Sequence, residues 1–140
     1  MERSLLVSRI KWFVVHAPEL YDINPNLIGF RDPSEWRSIK EGHIVFYYRT
    51  TPHQRIMGMY WVKKSQEGID KNFRITNDRG IREYLRHQHE LVLMEPFQCS
   101  FGTMDHKRLS FYHILKNPTR WDNQHVFKMS MGDVELILKN

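Results

Sequence analysis

Apolar and polar positions along this chain change period several times, and each change marks a structural element. Lys11 to His16 (KWFVVH) is short, β-branched and aromatic, which predicts a strand. Pro18 and Pro25, with Asn24 and Asn26, then predict turns. Asp32, Pro33 and Glu35 read as a helix start: Asp32 caps, Pro33 suits the first helical position, and Glu35 stands where a capping box wants it. Gly42 closes that short helix, which carries Trp36 and Ile39 on one face. His43 to Arg49 and Ile56 to Lys63 are two β-rich runs joined by a polar connection, which predicts a hairpin. The first run is apolar at every other position and between, as in a strand covered on both faces. Gly58 inside the second marks a bulge or a close backbone approach, as at a barrel corner. Lys63 to Arg82 reads as one long polar loop, Glu90 to Cys99 as a strand broken at Pro96, and Leu109 to Leu115 as helical. Ser130 and Asp133 open a last amphipathic segment, Val134 to Leu138. Strands with short helices at their ends predict one α+β domain over residues 1–140, a small curved β-barrel with helices packed outside.

Composition narrows the class. The 140 residues are 41% hydrophobic and 26% charged, which is globular rather than disordered. No apolar run approaches the roughly 20 residues a spanning helix needs, and no signal-peptide pattern follows Leu5-Leu6-Val7. The lone Cys99 reads as a small core residue, and the expected setting is the reducing cytoplasm, with no membrane partner. A net charge of +5 favours polyanionic partners.

Catalytic signatures are missing: there is no Walker A loop, no G-x-G-x-x-G, no G-x-S-x-G and no H-E-x-x-H. His87 and His89 fall two apart on an expected strand edge, and His106, His113 and His125 are scattered, so no metal or other cofactor is implied. A histidine-based hydrolase or nuclease is the enzyme-class alternative. Aromatic residues interleaved with basic ones remain, a pattern in which rings stack on bases and cations hold the phosphate backbone. Trp12 and Trp36 read as core, whereas Trp121, in the polar run from Pro118 to Gln124, gains little by packing and reads as a ligand-facing ring.

The order of motifs resembles that of the EVE domains, relatives of the YTH domains in the PUA-like group. The pieces are Lys11-Trp12-Phe13-Val14-Val15, then Ile28-Gly29-Phe30, then Trp36 and the run Ile39-Lys40-Glu41-Gly42-His43-Ile44-Val45-Phe46-Tyr47, and Ile56-Met57-Gly58-Met59-Tyr60. Leu115-Lys116-Asn117-Pro118-Thr119-Arg120-Trp121 follows ahead of the final helix, so the resemblance spans roughly residues 11–138. It implies a PUA-like barrel, no catalysis, and an aromatic pocket that accepts a flipped base such as N6-methyladenine or 5-methylcytosine in DNA or RNA. Some EVE-like domains serve McrB-type restriction motors, so a motor or nuclease subunit is an implied partner. By the same resemblance Phe30 takes the place of a cage tryptophan, and Trp121 stands near the pocket mouth with Arg120 as a phosphate contact. His16 and Ala17 end the first strand over the pocket, where YTH domains carry a Lys-Ser type of pair. Trp61 and Phe73 are both candidates for the second wall, and Lys116, Arg74 and Asn123 join Arg120 as backbone contacts. An RNA-binding PUA-like domain indifferent to modification is the alternative.

Overall fold

The computed structural model describes residues 9–50, 54–76, 79–94, 106–112 and 125–139. Its elements are β1 (Ile10–His16), α1 (Pro18–Ile23), β2 (Leu27–Phe30), α2 (Pro33–Ser38), β3 (Ile44–Arg49), β4 (Arg55–Glu67), β5 (Arg74–Thr76), β6 (Arg82–Tyr84), β7 (His87–Leu93), β8 (Val126–Lys128) and α3 (Met131–Leu138). A 3₁₀ turn covers His106–Arg108. Six strands form one sheet in the order β2-β7-β4-β3-β1-β8, and β5 pairs with β6 in a separate hairpin. Among the described residues only β1 and β3 pair in parallel, their crossover supplied by α1, β2 and α2. The architecture is α+β, mostly strands, with the main sheet curled into half a barrel. No helix among the described residues is long and apolar enough to cross a membrane.

Side-chain alternation sorts the sheet into two cores. Phe13 and Val15 of β1, Ile44, Phe46 and Tyr48 of β3, and Phe127 of β8 face outward onto Val134 and Ile137 of α3 and onto Leu109 and Phe111. The intervening Val14, Val45, Tyr47 and Val126 face the hollow side, where Ile28, Phe30, Ile39, Tyr60, Val62 and Leu91 meet them. Both faces of β1 and β3 are therefore dry, which is why these strands read as unbroken apolar runs. A third small cluster, Leu20, Leu27, Phe73 and Leu85, fastens α1 and the β5–β6 hairpin beside β2.

Gly58 meets both expectations placed on it. The β3–β4 register slips between Tyr47 and Tyr48, which pair with Gly58 and Ile56, leaving Met57 as the extra residue. A Cβ at Gly58 would come within 2.7 Å of Leu93 Cδ1 and 3.0 Å of the Tyr60 ring. The last helix begins with a reciprocal capping box between Ser130 and Asp133. Asp133 also accepts from the Ser110 backbone N–H (2.8 Å) and hydroxyl (2.6 Å), so one carboxylate caps α3 and holds the 106–112 segment against it.

Four expectations are corrected. The prolines at 18 and 25 bracket more than turns, because α1 and the four-residue strand β2 lie between and after them. Lys63 to Arg82 is not a single loop: β4 continues to Glu67 by pairing with β7, and β5 and β6 follow. That extension is mostly exposed, so it carries no apolar period to read. His87 and His89 sit on β7, an interior strand between β2 and β4, rather than on an edge. Asp32 does cap Ser34, but Glu35 forms no box; its carboxylate reaches residues 125 and 126 instead. The stretch from 95 to 105, with Cys99, and the expected helix beyond Tyr112 lie outside the described residues.

Candidate functional site

A cleft of about 940 Å³ opens at the end of the half-barrel, at the upper end of the size range of small-molecule and cofactor pockets. Its floor is the C-terminal end of β1 and of β2: His16, Ala17, Gly29 and Phe30. The β5–β6 hairpin forms one wall through Ile75, Thr76, Arg79, Ile81, Glu83 and Leu85. Arg31, Asp32 and Glu35, at the start of α2, form the other with His125, and Leu20 of α1 completes the lining.

His16 sets the floor. It follows Trp12 and Val14 on the hollow face of β1 and is 2% exposed. The Gly29 backbone N–H donates to its Nε2 at 3.2 Å, so Nε2 carries the lone pair and Nδ1 carries the proton, donated to the Val15 carbonyl at 2.8 Å. Burial, reinforced by nearby His125, outweighs that carbonyl contact and lowers its pKa to about 3. This imidazole is neutral with both nitrogens engaged. It offers a ligand only carbon, flanked by the rings of Phe30 (5.8 Å), Tyr47 (5.5 Å) and Phe73 (6.0 Å).

Glycine is required at 29 by contact. A Cβ there would meet the Leu85 carbonyl oxygen at 2.8 Å and Phe73 Cδ2 at 2.9 Å. The hairpin thereby packs directly on the β2 backbone. Gln88, fully buried on β7, holds the hairpin from below. Its Oε1 accepts from the Asp70 N–H at 2.8 Å, and its Nε2 donates to the carbonyls of Asp70 and Leu85, both at 2.9 Å. Across the cleft, Arg31 after β2 pairs with Glu83 of β6 at 2.8 Å.

The opposite wall depends on Glu35. Its Oε2 accepts from the backbone N–H groups of His125 (2.9 Å) and Val126 (3.2 Å), while the His125 carbonyl accepts from Val15 N–H at 2.8 Å. Glu35 Oε1 lies 3.7 Å from His125 Nδ1. Behind this wall Trp36 donates its indole N–H to the Gln88 carbonyl at 2.9 Å, which pins α2 to β7. His89, buried beneath Trp36, donates Nε2–H to the Trp36 carbonyl and accepts from the Ser65 hydroxyl (2.6 Å). Burial lowers its pKa to about 4. Among the described residues no three His, Cys, Asp or Glu side chains gather as a metal site.

The structure brings His16, Ala17 and Phe30 together at one cleft and leaves other expected residues elsewhere. Phe30 is 2% exposed, so it presents only an edge to the cleft. Phe73 is sealed behind Gly29 in the third cluster, and it backs the floor rather than facing a ligand. Trp61 pairs with Ile44, whose side chain belongs to the outer core, and so projects from the face opposite His16. Neither Trp61 nor Phe73 lines this cleft; the described wall opposite α2 is the β5–β6 hairpin, half aliphatic and half polar. Arg74 lies over the Tyr84 ring at 4.7 Å and donates to the Lys71 carbonyl, outside the lining. Trp121, Arg120, Lys116 and Asn123 lie outside the described residues. Sequence reasoning missed Glu35, Gln88, Gly29 and His125. No local pattern marks these contacts, because Glu35 and His125 are 90 residues apart.

No family model matches this chain, and no curated protein matches it. Among solved structures, the NMR structure of Rpa0253 from Rhodopseudomonas palustris, a Northeast structural genomics consortium target, is similar over 91% of this chain and 90% of that one. The TM-score is 0.58 at 13% sequence identity, a likeness of fold alone.

Proposed function

We propose that this chain is a non-enzymatic nucleic-acid reader of PUA-like, EVE-type build, acting in the cytoplasm, which takes one extruded methylated base into the cleft. The observation that carries the reading is the convergence of His16, Ala17 and Phe30 on a single cleft at the ends of β1 and β2. These are residues that the EVE resemblance assigns to a base pocket. A floor of carbon and ring edges supports burial of a flat heterocycle and of a methyl group, worth roughly 0.8 kcal/mol per CH₂-sized increment. Extrusion costs a few kcal/mol, which stacking and edge hydrogen bonds must recover. Recognition by such a cleft rests on shape more than on charge, because Asp32, Glu35 and Glu83 line it beside Arg31 and Arg79. The specificity role in a modification-dependent restriction system, with a motor or nuclease as partner, is the biological form this activity would take.

Fluorescence anisotropy with single-stranded DNA and RNA oligonucleotides, plain or carrying N6-methyladenine or 5-methylcytosine, tests the reading. Tighter binding of one modified oligonucleotide than of its plain counterpart is expected. Equal binding of modified and plain RNA with a steep salt dependence would instead establish an RNA-binding domain without modification preference. Absence of binding to every oligonucleotide would reject both.

A further inference from the structure

Resting on that reading, we infer that His125 is the residue that reads the edge of the bound base, and that it selects a base bearing an exocyclic amino group. Three observations converge on it. Its side chain lines the cleft and is 34% exposed, the degree expected of a group that a ligand could cover. Its Nδ1 faces Glu35 Oε1 at 3.7 Å, longer than a hydrogen bond but close enough to favour the Nδ1–H tautomer of the neutral ring, in which the Nε2 lone pair is the acceptor. Glu35 is itself fixed, because its other oxygen is occupied by two backbone N–H groups.

The floor does not supply this reading, which leaves it to the wall that carries His125. His16 has both nitrogens committed, and Ala17, Gly29 and Phe30 have no polar side-chain atom. An acceptor at Nε2 pairs with the amino group of cytosine or adenine and faces the carbonyl of thymine or hypoxanthine lone pair to lone pair. Such a mismatch sets two acceptors against each other with no proton between them, which disfavours the keto base.

Substitution of the side chain spares the fold. Apart from the 3.7 Å approach of Nδ1 to Glu35, the contacts that bind the 125 segment to α2 and β1 run through its backbone N–H and carbonyl, so His125→Ala keeps them.

The test is anisotropy with short single-stranded DNA whose central nucleotide differs only in the amino or keto group. 5-Methylcytosine is set against thymine, which shares its ring methyl, and adenine against hypoxanthine. The native chain should prefer the amino member of the pair it binds by about tenfold or more. His125→Ala should collapse that ratio towards one, with an unchanged melting transition, and His125→Gln, which retains an acceptor, should restore part of it. A native ratio near one, or a ratio that survives His125→Ala, overturns the assignment while leaving the reader function standing. Failure of all four oligonucleotides to bind removes the reader function and the assignment with it.

Discussion

His16 is buried in the floor of the cleft, and that burial has a measurable consequence for stability. Its folded pKa of about 3 lies below the ordinary imidazole value near 6.5. Between those values the unfolded chain binds a proton that the folded chain refuses, so stability falls as pH drops below about 6.5. At pH 5 the loss from His16 is about 2 kcal/mol. His89, lowered to about 4 by burial, adds a loss in the same direction. Urea unfolding from pH 7.5 to 4.5 should show this decline, and His16→Gln should reduce the slope by about one proton. An unchanged slope in His16→Gln would show that the imidazole titrates freely in the folded protein. Asp133 acts at lower pH: burial pushes its pKa up, but hydrogen bonds from Ser110 and Ser130 outweigh this and hold the carboxyl below the usual range. That contribution is present above the ordinary Asp value and disappears as pH falls through the lower folded one.

At the scale of elements, the cleft's walls are set by long-range polar contacts rather than by the strands' own patterns. Gln88 is the clearest case, since one amide satisfies three backbone groups of the segment leading into the hairpin and of its last turn. Gln88→Ala should cost about 3 kcal/mol, because it leaves those groups unpaired beneath β5 and β6. Hydrogen exchange should show the Leu85 amide, which donates to Phe73, losing protection while β1 and β3 keep theirs. Unchanged protection of the Leu85 amide in Gln88→Ala would mean that the hairpin is held by its apolar cluster alone. This division also explains what the sequence made visible. β1, β3, the start of α3 at Ser130 and Asp133 and the bulge at Gly58 each rest on near neighbours or on short apolar runs, and these are legible. The continuation of β4 through Lys63 to Glu67 was not, because exposed polar residues paired on one side carry no hydrophobic period. The local pattern presents Glu35 as a cap, because its partners, His125 and Val126, are distant in the chain. Trp61 is a candidate for the second wall by the EVE resemblance. Register decides otherwise: opposite Ile44, it projects from the outer face.

For the molecule as a whole, the curled sheet separates two surfaces. The convex side is closed over much of its area by α3 and the 106–112 segment, while the concave side ends in a cleft whose floor is the ends of β1 and β2. A nucleobase reader with this architecture must engage its ligand from the cleft, and Trp61, on the other side, must be a spectator. Amide chemical-shift mapping of labelled protein, titrated with the best-binding oligonucleotide, tests this most directly. The amides of His16, Ala17, Gly29 and Phe30, with those of Thr76 and His125, should move together and saturate at one affinity. Shifts confined to the outer face around Trp61 and Lys63, with the β1 and β2 ends unmoved, would contradict the account.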